Sequence, residues 1–468
     1  TAIYGSRANA GVILITTKRG TNDGLSVSVR ANTGVHVAKA YPEYLGAAEY
    51  MTFYNEALAN DGKPALYTQD EIYYHSAGLN PYRYPDINYY SSEYINKAYN
   101  RSDVTAEISG GGGRAHFYSN ISYYNQGDFL KVGEAANNNT SRFNVRGNVD
   151  VKLNDFIKAY INANTTFYDS KSAKGNYWEA AATMRPNFPQ HAAPLIPIDL
   201  IDPNATAAWD LVNASGNIIT MNGQRYFLAG TQQNKTHVFG DMYAAGRSKW
   251  TSRQFQFDAG VEIDLGRVLK GLTFKTVYAV DYATSYSTSY DNEYAIYTPT
   301  WSMYNGKEYI TDLKQEGLDK KSGNQNINGS DADMTMLWTG QFNYDRTFAA
   351  KHNVSAMLVA GAFRQTLAGE YHRVANANLG ILASYNYDHR YYFDFSGAAV
   401  HSAKLAPGHR GAFSPSVTLG WKIGNEAWME DSDFDDLTVS VSGSILNQDI
   451  DIAGYYLYAP TWATDRWG

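Results

Sequence analysis

Alternation with a period of two residues dominates this chain. From residue 25 the odd positions read Leu25, Val27, Val29, Ala31, Thr33, Val35 and Val37, and the even ones Ser26, Ser28, Arg30, Asn32, Gly34 and His36. The same split recurs over 143–153 and over 255–265, where Gln256, Asp258, Glu262 and Asp264 form the polar row. Segments 104–108, 117–123, 157–167, 272–286, 334–344, 354–362, 379–387, 391–399, 413–423 and 437–445 complete the set. Successive side chains of a strand point to opposite faces, so the pattern predicts about 13 strands.

Charge decides what the two faces touch. The apolar rows hold no Lys or Arg at their centres, while the opposite rows hold Arg30, Arg146, Lys152, Lys158 and Lys275. A basic residue on a lipid-facing wall near the midplane costs about 2–4 kcal/mol. One face therefore suits hydrocarbon and the other suits water. A soluble β-sandwich also alternates, with one face core and one face solvent. Connection lengths favour the membrane wall. Short turns at 110–114, 154–155, 266–271, 349–352 and 388–390 alternate with long connections at 38–102, 170–248 and 292–331. Barrels that span outer membranes have tight turns at one end and long loops at the other. The expected fold class is all-β, a transmembrane antiparallel β-barrel.

The long connections carry local structure of their own. Ala47, Tyr50, Met51, Tyr54, Ala57 and Leu58 have helical spacing, and Gly62 follows as a stop. Thr68 and Glu71 form a capping box ahead of Ile72, with Gly78 beyond. The first long connection is thus expected to hold two short helices. No repeat of 20–50 residues marks a solenoid or propeller.

Composition narrows the function. Among 468 residues there is no Cys, which excludes disulfides and thiol chemistry. Net charge is −7, which argues against a nucleic-acid partner. The longest near-apolar run, 356–362, is far short of the ~20 residues that a membrane helix needs. The opening Thr1-Ala2-Ile3-Tyr4 reads as the interior of a longer protein.

Catalytic and metal chemistry find little support. The Ser109-Gly110-Gly111-Gly112-Gly113-Arg114 run has no Gly-Lys-Ser/Thr sequel and reads as an inter-strand turn. Asp431, Asp433, Asp435 and Asp436 lack EF-hand spacing and read as a solvated turn; no metal or cofactor is expected. No Gly-x-Ser-x-Gly and no His-Glu-x-x-His occurs, so no catalytic residue is assigned and the chain is not expected to be an enzyme.

Aromatic residues carry the best functional hint. Tyr is present 39 times. Tyr82, Tyr84, Tyr89, Tyr90 and Tyr94 crowd the first long connection, and Trp178 and Trp209 lie in the second. Tyr286, Tyr290, Tyr294, Tyr297 and Trp301 lie at the end of a strand and beyond. Flat rings with a polar tip suit sugar rings or extended peptides. The bland alternative is an interface belt or loop packing. Tyr89, Tyr90, Trp178, Tyr286 and Tyr290 are the candidate substrate-binding residues.

The stretch Tyr4-Gly5-Ser6-Arg7-Ala8-Asn9-Ala10-Gly11-Val12-Ile13-Leu14-Ile15-Thr16-Thr17-Lys18 resembles the end of the plug domain of SusC/RagA-type TonB-dependent transporters. Asn9 sits one place earlier than in the commonest form of that motif. Further likenesses are Tyr50-Met51-Thr52-Phe53-Tyr54-Asn55-Glu56-Ala57, Gly78-Leu79-Asn80-Pro81, Tyr123-Tyr124-Asn125-Gln126-Gly127 and Phe413-Ser414-Pro415-Ser416-Val417. The segment 397–409 lacks the Arg-x-Asp-Gly-Ser-Ser pattern often seen there.

The resemblance implies that residues 1–20 end a plug and that 21–468 form part of a larger barrel of about 22 strands. It implies an outer-membrane location of the Bacteroidota type, in contact with outer-membrane lipid and with the loops extracellular. It also implies energised import of a glycan or oligopeptide. The implied partners are a SusD-like surface lipoprotein and TonB, the latter through a part not in this chain. A dimer of transporter–lipoprotein pairs is a further implication. A passive porin or surface adhesin barrel is the alternative, distinguished by the plug-like opening; a soluble glycan-binding β-protein is a third.

Overall fold

The computed structural model describes residues 13, 16–21, 24–183, 193–232, 238–370, 373–430, 434, 436–449, 451–452 and 454–460. A wall strand β1 (Ser26–Val37) leads into a connection with helices α1 (Ala47–Asn60) and α2 (Gln69–Ala77). Wall strands β2 (Ala98–Gly111), β3 (Ala115–Gln126), β4 (Asn139–Lys152) and β5 (Ile157–Ala173) follow. The next connection holds α3 (Tyr177–Thr183), β6 (Leu195–Pro197), α4 (Thr206–Ala214), β7 (Ile219–Met221), β8 (Gln224–Leu228) and α5 (Val238–Ala244). The wall resumes with β9 (Gly246–Asp264) and β10 (Leu272–Asp291), and a hairpin of β11 (Ile296–Tyr304) and β12 (Lys307–Glu316) intervenes. The wall ends with β13 (Asn326–Phe348), β14 (His352–Thr366), β15 (Val374–Tyr387), β16 (Tyr391–Ser402), β17 (Gly411–Lys422) and β18 (Thr438–Ser444).

The wall is one 13-stranded sheet in the order β1-β2-β3-β4-β5-β9-β10-β13-β14-β15-β16-β17-β18. Every neighbouring pair is antiparallel, for example Val27 opposite Ile108 and Phe143 opposite Phe167. Each expected alternating segment is one of these strands. No helix among the described residues is long and apolar enough to cross a membrane; crossing falls to the strands.

The apolar row lies on the outer surface. Val29, Ile121, Phe143, Ile161, Phe255, Tyr278, Phe342, Leu358, Leu379, Phe393 and Leu419 are all exposed. Cross-strand register joins them into continuous lines, such as Phe274–Phe342–Leu358–Ile381 across four strands. A soluble protein rarely leaves so large an apolar surface uncovered. Hydrocarbon is the solvent that such a surface fits.

The opposite row is polar and laced by side-chain hydrogen bonds. Asn144 donates to Asn164 at 2.9 Å, Asn164 to Gln256 at 2.9 Å, and Gln256 to Asp281 at 3.1 Å. Turns join strands tightly at one end. Ala349 and Ala350 (φ 47° and 58°) and Asp388 and His389 (52° and 54°) take left-handed conformations there. This end is called the turn end, and the other the loop end.

The buried apolar core sits in the long connections. Of the largest fully buried side chains, Tyr177, Tyr297, Phe227, Phe239, Ile196, Ile201, Leu228, Met242, Ile296, Ile310 and Val212 belong to loop-end segments, and Asn148 alone to the wall. Helix α2 forms as its caps dictate. Thr68 accepts from the Glu71 amide at 3.2 Å, Glu71 accepts from the Thr68 amide at 2.7 Å, and Gly78 ends α2 at φ 61°.

Candidate functional site

Two surfaces carry functional chemistry: the inner face of the wall and the cap built on its loop end. On the inner face, residues 18–20 lie against the wall. Lys18 Nζ meets Glu107 at 2.8 Å, and Arg19 meets Asp150 at 2.8 Å while its guanidinium lies 5.2 Å from the Tyr160 ring. Asn148 donates to the Lys18 carbonyl at 2.8 Å. A Cβ on Gly20 would fall 2.4 Å from the Phe117 carbonyl, so only glycine fits this approach. These ion pairs are largely solvent-exposed, at 68% and 30% for Lys18 and Glu107, so salt screens them.

The basic residues expected on the inner row share its register but not one role. Lys158 pairs with Glu262 at 3.5 Å and Lys152 with Asp155 at 3.0 Å. Among the described residues the cations of segment 18–20 sit on wall carboxylates. Arg146 borders a hollow of about 360 Å³ with Asn162, Asn164, Gln256, Asp258 and Asp281. Arg146 Nε and Asn162 Oδ1 are buried beside this hollow, and Asn148 Oδ1 is buried beside Lys18, each without a hydrogen-bond partner among the described residues. Leaving such groups unpaired costs about 1–3 kcal/mol each. The face is therefore built to be covered by something polar.

At the loop end three connections fuse into a cap. Ala193, Ile196, Phe227, Tyr297, Ile310 and Leu313 share one apolar cluster. Tyr89, Ile95, Leu130, Tyr177 and Phe239 share another. Polar joints tie the segments. Asp319 accepts from Ser215 Oγ at 3.0 Å, the Gly216 amide at 2.8 Å, Asn217 at 2.5 Å and the Ala295 amide at 2.8 Å. Burial alone would raise the Asp319 carboxyl, but these donors hold it below its ordinary range. Glu308 accepts from Asn80 at 2.7 Å and pairs with Arg83.

The structure distributes the candidate aromatics unevenly. Tyr89 is 8% exposed and packs its ring on Phe239, while its carbonyl accepts from the Tyr177 hydroxyl. Burial pushes the Tyr89 and Tyr177 phenols well up. Tyr90 and Trp178 do come together, with ring centroids 6.1 Å apart, and Tyr44 stacks on Tyr90. Trp178 borders a polar hollow of about 460 Å³ with Tyr99, Gln126, Asp128, Thr140 and Lys171. Tyr286 shares the row of Tyr278 and Tyr282, and Tyr290 lies 5.4 Å from the Arg247 guanidinium. Both are on β10, on a different element from the Tyr90–Trp178 pair.

Asp431, Asp433 and Asp435 lie outside the described residues, as does most of the plug-like opening, except Ile13, Thr16, Thr17 and Lys18. Asp436 pairs with Lys422 at 3.4 Å. Among the described residues no group of three His, Asp or Glu is arranged to hold a metal. Asn144, Asn162, Asn164 and the Asp319 joint went unremarked in the sequence. The Asn run in the inner row was a readable signal; Asp319 offered none.

No family model matches the chain. In sequence it is 22% identical to TonB-dependent receptor P26 of Formosa agariphila, over 96% of this chain and 42% of that protein. It is also 22% identical to TonB-dependent receptor P3 of the same organism, over 92% of this chain and 39% of that one. The chain thus spans less than half the length of these relatives. In fold it is similar to structures of the RagAB peptide importer. The TM-score is 0.64 in the open-open state and 0.63 in the closed-closed state, with 18% and 17% identity. These matches cover 96% and 94% of this chain and 49% of the solved chain in each case. The motif, the wall and these relatives agree: over nearly its whole length the chain is similar in sequence to TonB-dependent receptors and in fold to the RagAB structures.

Proposed function

We propose that this chain forms part of the wall and cap of an outer-membrane importer that takes up a large nutrient, glycan or oligopeptide, at the expense of TonB. Residues 1–20 are read as the end of the plug and 21–468 as wall and loops. The observation that carries the reading is the contact of Lys18, Arg19 and Gly20 with the inner wall, inside a sheet whose outer row is apolar. A passive porin needs no such segment. The latch is made of exposed ion pairs, which part easily, and a pulled plug must part from its wall. The loop end would be capped by a SusD-like surface lipoprotein, and TonB would act through a portion outside this chain. Ligand is transported unchanged; no chemistry is assigned to any side chain.

Tyr90 and Trp178 are the proposed ligand platform, beside the polar hollow at the rim. Tyr89 belongs to the buried cluster against which Tyr90 packs, while Tyr286 and Tyr290 share the outward row of β10 with Tyr278 and Tyr282 and stand apart from that platform. RagAB, the importer of similar fold, takes up peptide, which favours oligopeptide over glycan. The test is uptake of labelled oligopeptide and oligosaccharide pools by cells expressing the full-length protein, with and without TonB. Loss of uptake without TonB supports the reading; uptake indifferent to TonB overturns it.

A further inference from the structure

The outer row changes character at the loop end of β5 and β9. These strands run 17 and 19 residues, well beyond the ~9–11 needed to cross a bilayer. Phe167 and Phe255 are the last large apolar side chains of the outward row on each. Beyond them register places Phe167 opposite Arg253, Asp169 opposite Thr251, Lys171 opposite Lys249 and Ala173 opposite Arg247. Four basic residues therefore stand in one patch against a single carboxylate. Asp169 is already engaged, by Arg253 at 3.0 Å, Lys249 at 3.2 Å and Thr251 Oγ1 at 3.0 Å. Arg253 also lies 5.4 Å from the Phe167 ring, which fixes the patch to the upper edge of the apolar belt.

Two features of this patch call for an anion. Lys171 and Lys249 face each other directly across an antiparallel pair, and Asp169 is taken by Lys249 and Arg253, so the patch keeps an excess of positive charge at Lys171 and Arg247. Lys171 and Arg247 are exposed, and Lys249 is 40% exposed. The patch also sits where headgroups of the lipid around the wall would stand. Basic clusters at that height bind anionic headgroups.

We propose that Lys171, Arg247, Lys249 and Arg253 form a lateral site for the phosphate groups of a glycolipid in the leaflet at the loop end. It rests on the outer-membrane reading above, since it needs a bilayer whose outer leaflet carries phosphorylated glycolipid. The acyl chains lie along the apolar row below, and the phosphates bridge Lys171, Lys249 and Arg247, balancing the charge that Asp169 leaves in excess. Arg253, held by Asp169, marks the lower edge of the site.

The test is native mass spectrometry of the full-length protein released from nanodiscs. The discs hold phosphatidylcholine with 10 mol% bisphosphorylated lipid A or with the dephosphorylated glycolipid. The expected result is retention of bisphosphorylated lipid A only. Lys249→Gln with Arg247→Gln weakens retention, by roughly fivefold per basic side chain removed. Adding Lys171→Gln weakens it further, while Lys249→Arg with Lys171→Arg keeps it. Arg267→Gln with Lys270→Gln, at the turn end, changes nothing. Equal retention of the two glycolipids, or equal loss in the turn-end variant, overturns the proposal. So does full displacement by millimolar inorganic phosphate, which would mark a simple ion site. Failure of the wild-type protein to enter nanodiscs would instead break the outer-membrane reading.

Discussion

The wall and the cap obey opposite burial rules. In the wall Ile121, Phe143, Leu358 and Leu379 are among the exposed residues, and Asn148 is the fully covered large side chain among the described residues. In the cap Phe227, Phe239, Ile196 and Tyr297 are covered, and charges such as Lys63 and Lys320 face water. One chain therefore folds half of itself for hydrocarbon and half for water. The wall holds its shape by backbone ladders, which cannot be satisfied any other way in lipid. The cap holds its shape by apolar contact between segments far apart in sequence, as a soluble domain does.

The largest effect expected from this contrast is in the cap. Phe227→Ala should cost about 3–5 kcal/mol of cap stability. Amides of β6, β8 and α4 should lose hydrogen-exchange protection while β13 to β16 keep theirs. If the wall loosened equally, the two regions would be one cooperative unit. Next comes a pair of neighbours on β3. Ile121→Lys should cost about 2–4 kcal/mol in bilayer unfolding titrations, and Ser122→Lys, on the wet face, close to nothing. Equal penalties would mean that the faces have been assigned wrongly.

Asp319→Ala strips the acceptor from four donors and should cost the cap about 1–3 kcal/mol, read as faster exchange at Gly216 and Ala295. Acid should act in the same direction. The Asp319 carboxyl is held low, so its contribution is full above its unfolded value near 3.8 and fades as pH falls through the lower folded value. His75 is held down by burial, despite its contact with the Pro85 carbonyl at 3.0 Å. The unfolded chain binds that proton first, so the cap should weaken as pH drops below about 6.5. His75→Asn should flatten that slope in exchange measurements on α2 between pH 7 and 5. The smallest effect is the latch. Raising salt should loosen residues 18–20 without touching the Asp319 joint, a difference readable from spin labels on each.

How much of this was legible follows from the range of the forces. Thr68 and Glu71 sit three residues apart, so the α2 cap could be read directly. The 13 wall strands were equally plain, because a period of two is a local signal and one bilayer-facing row enforces it along every strand. Tyr89 and Tyr90 looked alike in sequence. Only the packing of α5 onto the first connection made one of them core and left the other beside Trp178.

The alternation therefore settled the strands and their faces, and the Thr68–Glu71 spacing the cap of α2, since each depends on neighbours a few residues away. The tertiary structure decided which loops fuse into the cap and where Asp319 and Glu308 join them. It also set the polarity of the latch between residues 18–20 and the wall. Those contacts pair residues up to 228 positions apart. No periodicity in a chain specifies which distant carboxylate meets which distant amide; only the pairing of the wall strands and the packing of their connections brings them within reach.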